Sequence, residues 1–163
     1  MERLAGQTVV VLGAGGAARA VVYALATSGL SRIVVAARKT ALAEALVRDA
    51  QAWGGARVEP VGFPDAPVRN ADLVVNATPV GTNDPRATPW PGAEDFHAGQ
   101  TVYDLVYRPA TTRLMADASA AGAAVIGGLP MLIAQAAASF RLWTGRDMDT
   151  AAAERAARSA LCL

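Results

Sequence analysis

The stretch Val9-Val10-Val11-Leu12-Gly13-Ala14-Gly15-Gly16-Ala17-Ala18-Arg19-Ala20 decides the fold. Four consecutive apolar residues suit a strand covered on both faces, as in a parallel sheet. A glycine turn follows, and then the first turn of a helix. The glycines fall as G-x-G-x-x-A. Gly13 permits a sharp turn, Gly15 leaves no side chain in the way of a pyrophosphate, and Ala18 is small enough for the helix to lie close on the strand. A helix entered this way offers unpaired N–H groups and a partial positive charge to phosphates. The context predicts a dinucleotide site built on Gly13, Ala14, Gly15, Gly16 and Ala17. The plain alternative is a bare strand-to-helix turn.

Outward from this turn the chain alternates strands and helices. A lead-in over Met1–Gln7 precedes a first strand at Thr8–Leu12. A helix over Ala17–Ser28 stops at Gly29, and Ile33–Ala37 is the second strand. Thr40 is placed to cap a helix that runs to Trp53, and Arg57–Val61 is a short third strand. This completes one βαβαβ half of a dinucleotide-binding fold. Asp72–Asn76 is a fourth strand, followed by the loop Ala77-Thr78-Pro79-Val80-Gly81. The Pro-, Asp- and Gly-rich run Thr82–Gly99 reads as an irregular surface excursion. A fifth strand at Thr101–Leu105, a helix begun by Thr111 or Thr112, and a sixth strand at Ala123–Ile126 follow. The chain ends in a long apolar helix, Leu129–Trp143, stopped by Gly145, and an alanine-rich helix, Thr150–Leu161. Right-handed crossovers give a Rossmann-type, doubly wound parallel sheet in the order 3-2-1-4-5-6 with C-terminal helices over 129–163. A ligand belongs at the carboxyl ends of the strands, between strands one and four.

Composition narrows the function classes. The 163 residues suit one domain, and 53% hydrophobic content supports a sizeable core. A formal charge of +1 supplies no basic field for nucleic acid. The single cysteine, Cys162, argues against a disulfide framework or a cysteine-based metal site. No apolar run approaches a membrane span and no signal-peptide pattern is present, so a soluble cytoplasmic protein is expected.

The cofactor is read at the end of strand two. An NAD site usually places an acid about 20 residues past the glycines, on the ribose 2′-hydroxyl. Here the sequence is Val35-Ala36-Ala37-Arg38-Lys39-Thr40, with two cations and no acid. A 2′-phosphate needs cationic partners, and arginine offers it a planar fork. NADP is therefore preferred over NAD. The alternative is that Arg38 and Lys39 are solvated turn residues.

Four motifs together carry a resemblance. Gly13-Ala14-Gly15-Gly16-Ala17-Ala18-Arg19-Ala20, Asn76-Ala77-Thr78-Pro79-Val80-Gly81, Tyr103-Asp104-Leu105-Val106-Tyr107-Arg108-Pro109 with Thr112 and Leu114, and Gly128-Leu129-Pro130-Met131-Leu132-Ile133-Ala134-Gln135-Ala136 running on to Trp143-Thr144-Gly145 occur in this order. The chain resembles the C-terminal, NADP-binding domain of the shikimate dehydrogenase family. The resemblance implies reversible reduction of 3-dehydroshikimate to shikimate with NADPH. It places Arg38 on the 2′-phosphate with help from Lys39, Thr78 and Val80 along the cofactor, and Gly128 and Met131 beside the nicotinamide. It places Tyr107 and Gln135 on the substrate. The family pattern has a further arginine where this chain has Leu42, and Lys39 supplies that charge. The NAD-preferring quinate/shikimate relatives would go with an acid after strand two, which this chain lacks.

The resemblance also implies what is not here. The family's N-terminal domain binds most of the substrate and carries a catalytic Lys–Asp pair. Reduction of a ketone needs a proton donor near the forming alkoxide. Lys39 is the only lysine, at the 2′-phosphate end, and the only histidine, His97, falls in the irregular excursion. Tyr103 and Tyr107 remain as donors, with no neighbour to activate either. No catalytic residue is therefore assigned, and the chain alone is expected not to turn over shikimate. A non-catalytic NADP-binding sensor or regulatory module is the alternative. Asp104 is read as a turn-holding residue. The apolar last helices are expected to leave a surface through which the chain pairs as a homodimer.

Overall fold

A computed structural model describes residues 6–161. The lead-in falls largely, and Cys162 wholly, outside the described residues. Six parallel strands form one sheet in the order β3-β2-β1-β4-β5-β6. They are β1 (Thr8–Leu12), β2 (Arg32–Ala37), β3 (Arg57–Gly62), β4 (Leu73–Asn76), β5 (Thr101–Asp104) and β6 (Ala124–Ile126). The helices are α1 (Gly16–Ala26), α2 (Thr40–Ala50), α3 (Arg113–Ala120), α4 (Leu129–Thr144) and α5 (Thr150–Leu161). Pro60 lies in β3, an edge strand, where a missing ladder donor is tolerated.

The apolar run of β1 is explained by its two faces. Successive strand residues point to opposite sides. Val9 and Val11 join a core with Ala18 and Val22 of α1 and Ala43 and Leu46 of α2. Val10 and Leu12 join a second core with Val74, Val102, Leu114 and Ala118. Helix α1 buries Ala18, Val22 and Ala26, one residue per turn, so a narrow alanine–valine stripe suffices to seat it.

Three local expectations are corrected. Thr40 does not cap α2: Lys39 holds the N-cap position and no side chain closes it. Helix α2 ends at Ala50 rather than Trp53. Trp53 instead packs edge-on against Tyr23, ring centroids 5.3 Å apart, and lies under the Arg19 guanidinium. The run 82–99 is irregular apart from a 3₁₀ turn at Ala93–Asp95, yet it is more than surface. Trp90 and Phe96 are buried in the second core, with the Trp90 indole N–H donating to Asp95 at 3.1 Å. The excursion covers the sheet face that has few helices.

The two C-terminal helices meet this core only through the first turn of α4. Leu129 is the one buried residue of α4, and α5 buries none. They pack against each other, yet Leu142 and Trp143 remain 83% and 80% exposed. Gly145, at φ 69°, ends α4 in the left-handed conformation as its sequence predicts. Among the described residues, no helix is long and apolar enough to cross a membrane, and no cluster of His, Cys, Asp or Glu is arranged to hold a metal ion.

Candidate functional site

The strand order reverses between β1 and β4, and the loops leaving these strands lie against each other. Gly13 has φ +112°, and a Cβ there would stand 3.0 Å from the Ala77 carbonyl oxygen and 3.1 Å from the Thr78 methyl. Conformation and space both demand glycine at this crossing. Gly15 differs. Its backbone is extended, and a Cβ would meet no protein atom within 4 Å. The space in front of it is open. Gly16 is equally open.

Helix α1 begins at this opening without a cap. No side chain accepts from its first turn, and no acid lies in that turn. Its first backbone bond runs from the Arg19 N–H to the Gly15 carbonyl at 2.9 Å. The N–H groups of Gly16, Ala17 and Ala18 therefore lack protein acceptors among the described residues. Uncapped donors at a helix N-terminus are suited to an anion. A hollow of about 250 Å³ opens beside them, lined by Ala14, Gly15, Gly16, Arg19, Leu42 and Asp49. Arg19 is held there by its ion pair with Asp49.

Arg38 and Lys39 follow β2 directly and are both exposed. Neither makes an ion pair or side-chain hydrogen bond among the described residues. The first turn of α2 beside them is free of acids. This donor set, with the open uncapped turn, fits a dinucleotide bearing an extra phosphate.

Across the cleft, the residues at the ends of β4 and β5 form a buried polar cluster. Asn76 and Asp104 are register partners and neither is exposed. The Asn76 amide donates to Asp104 Oδ1 at 2.8 Å, the Val106 N–H to the same oxygen at 3.0 Å, and the Thr112 hydroxyl to Oδ2 at 2.6 Å. The Thr78 N–H and hydroxyl both donate to Asn76 Oδ1, at 2.9 and 2.7 Å. Thr112 also caps α3, accepting from the Met115 N–H. Burial pushes the Asp104 carboxyl above its ordinary range, against the three hydrogen bonds that favour its charge. Asp104 thus holds the turn into Val106, as the sequence suggests. Thr112 begins α3 as the sequence predicts, whereas its bond to Asp104 and the role of Asn76 escape a reading of the sequence alone. The available signal is Asn76 and Asp104, each closing one of two adjacent parallel strands.

The remaining predicted residues divide. Thr78 and Val80 are half-buried on the loop over Gly13, and the Val80 N–H donates to the Thr78 hydroxyl. Met131 packs against the core cluster that contains Val75 and Leu105. Gly128 is buried, and a Cβ there would lie 2.2 Å from the Leu105 carbonyl oxygen. Its lack of a side chain is required by this backbone crossing. Tyr107 is 40% exposed at the mouth of the β5 loop. Gln135 lines a different concavity, about 420 Å³, with Leu132, Phe140, Trp143 and Met148. No hydrogen bond joins Gln135 to Tyr107 among the described residues. Burial pushes the Tyr103 phenol up, which disfavours its charged form.

Comparisons with known proteins bear on the fold and the family. The family profile described as "Shikimate / quinate 5-dehydrogenase" matches residues 1–84, and that described as "Shikimate 5'-dehydrogenase C-terminal domain" matches residues 128–158. The shikimate dehydrogenase (NADP(+)) of Salinibacter ruber is 47% identical over 97% of this chain, which spans 58% of that relative. The crystal structure of the Thermus thermophilus shikimate 5-dehydrogenase in complex with NADP(H) and shikimate superposes with a TM-score of 0.81 at 45% identity, over 96% of this chain and 56% of that one. A quinate dehydrogenase from Corynebacterium glutamicum in complex with NAD superposes with a TM-score of 0.82 at 33% identity, over 94% of this chain and 55% of that one. The fold is therefore shared by relatives bound to either dinucleotide, and the cofactor must be argued from side chains. Motif order, sheet topology and the matched profiles together show that the chain belongs to the shikimate/quinate 5-dehydrogenase family.

Proposed function

We propose that this chain is the NADP-binding portion of a shikimate dehydrogenase. The observation that carries the reading is the pairing of an open, uncapped α1 N-terminus at Gly15 with two unpaired cations, Arg38 and Lys39, at the end of β2. The pyrophosphate is assigned to Gly13, Ala14, Gly15, Gly16 and Ala17, and the 2′-phosphate to Arg38 and Lys39. Thr78 and Val80 flank the dinucleotide from the β4 loop, and Gly128 and Met131 border its nicotinamide end. Bound NADPH supplies the hydride for reducing 3-dehydroshikimate. Tyr107 and Gln135 contribute to substrate binding only with a substrate domain of the kind the family carries. The chain's own residues include no lysine besides Lys39 to serve near the nicotinamide, so no turnover is assigned to it alone. A non-catalytic NADP-binding module is the second reading. Adding a separately supplied substrate domain separates the two: shikimate oxidation on mixing supports the dehydrogenase, and tight NADPH binding with no turnover on mixing supports the module.

The cation pair makes a direct prediction. NADPH is expected to bind at least tenfold more tightly than NADH, about 1.4 kcal/mol. Replacing both Arg38 and Lys39 by alanine is expected to remove most of that preference while leaving NADH affinity in place. Fluorescence titration of both nucleotides against both proteins reads this.

The exposed Leu142 and Trp143, together with the concavity along α4, make a surface that an isolated chain in water tends to cover. The chain alone is proposed to pair through α4 and α5. Light scattering is expected to show a mass that rises with concentration, and Trp143→Glu to return it to the monomer. A concentration-independent monomer would refute the pairing.

A further inference from the structure

Asp104 is a buried carboxylate that the proposed function does not use. It touches no cation among the described residues, and it joins three segments of the cleft. Through Asn76 it reaches Thr78, and through Thr78 the Val80 N–H, which is the loop assigned to the dinucleotide. Through the Val106 N–H it fixes the backbone next to Tyr107. The Val106 carbonyl in turn accepts from the Gly128 N–H at 3.1 Å, where α4 begins, three residues before Met131. Through Thr112 it meets the cap of α3, whose methyl lies 3.4 Å from where a Cβ on Gly81 would stand, at the end of the dinucleotide loop.

The chemistry explains why an acceptor is needed at this point. An asparagine amide can face either way, with a donor at one end and an acceptor at the other. An acceptor at Asp104 Oδ1 forces the Asn76 Nδ2 toward itself and so turns the Asn76 oxygen toward Thr78, where two donors await it. Buried networks of this kind are rigid only when every member is satisfied. Removing the acceptor frees the Asn76 amide, the Val106 N–H and the Thr112 hydroxyl together.

We propose that Asp104 is a positioning residue that sets the dinucleotide loop Thr78–Val80 and the Tyr107 segment in one arrangement, so that nucleotide affinity depends on a carboxylate that does not touch the nucleotide. The proposal rests on the NADP reading of the site. A residue of merely structural importance would lower stability and leave the affinity of the folded protein unchanged.

The test compares the unaltered chain with Asp104→Ala and Asp104→Asn. NADPH affinity is read by fluorescence at a temperature where circular dichroism shows each protein folded. The amides of Thr78 and Val106 are followed by NMR during the same titration. Asp104→Ala is expected to weaken NADPH at least tenfold and to break the joint movement of the two amides. Asp104→Asn keeps an acceptor for Asn76 and Val106, and is expected to stay within threefold of the unaltered chain with both amides moving together. Asp104→Ala that is folded and binds NADPH within threefold of the unaltered chain would overturn the proposal. Should Asp104→Ala not fold, a Thr78 amide that moves with NADPH while Val106 stays still, in the unaltered chain and in Asp104→Asn alike, would overturn it. Failure of the unaltered chain to bind NADPH would remove the NADP reading itself, and this proposal with it. That outcome is distinct from a chain that binds and is indifferent to Asp104.

Discussion

Gly15→Val is expected to leave the chain folded and to weaken NADPH binding at least about 100-fold, roughly 2.7 kcal/mol. The two halves of this expectation have separate grounds. A Cβ at Gly15 meets no protein atom within 4 Å, and its backbone is in the extended region that β-branched residues favour. The fold therefore has room for the valine Cβ. The space the side chain enters is the space in front of the free N–H groups of α1, where the pyrophosphate is assigned. Thermal melting checks the first half and NADPH fluorescence the second. A folded variant with unaltered affinity would show that the phosphates lie elsewhere.

Gly128→Ala is expected to act in the opposite way, on the fold. The backbone of Gly128 has φ −79° and ψ −9°, open to any residue, so conformation is not the obstacle. The obstacle is the Leu105 carbonyl oxygen, 2.2 Å from where the methyl would go, with the Leu105 carbonyl carbon at 2.5 Å. Backbone atoms of a central loop do not swing aside as a side-chain end would. Overpacking of this kind is expected to cost about 3 kcal/mol and to lower Tm by roughly 6–12 °C. Gly127→Ala is the control: its methyl would meet the Met115 Cε at 3.5 Å, an ordinary contact, and is expected to cost less than about 1 kcal/mol. Equal melting temperatures for the two variants would contradict the close crossing of the α4 entry over the β5 loop.

These two glycines show what sequence conveys and what it withholds. The turn at Gly13–Gly16 is legible because strand, glycine spacing and helix all lie within one short stretch. The strand order follows from it once each connection is taken as right-handed. Gly128 is assigned to the nicotinamide end by resemblance, while its crossing over Leu105 depends on a contact between segments far apart in sequence. Asn76 stands within a quoted motif, but its bond to Asp104 needs the register of β4 against β5. Trp90 and Phe96 are lost in a run whose prolines and glycines signal irregularity, and irregular backbone says nothing about where its aromatic side chains are buried. The apolar character of α4 is plain, and its exposure in the structure follows from the absence of any described element on its outer side. Arg38 and Lys39 are legible as charges. Only the structure shows that they stand unpaired among the described residues, at the start of α2.

The most direct measurement is a pair of titrations of the unaltered chain, one with NADPH and one with NADH, followed by nucleotide fluorescence at fixed low ionic strength. Saturable binding of NADPH at least tenfold tighter than NADH is the predicted result. Equal affinities, or no saturable binding of either nucleotide, would contradict the assignment of the Gly13–Ala17 turn and the Arg38–Lys39 pair to NADP.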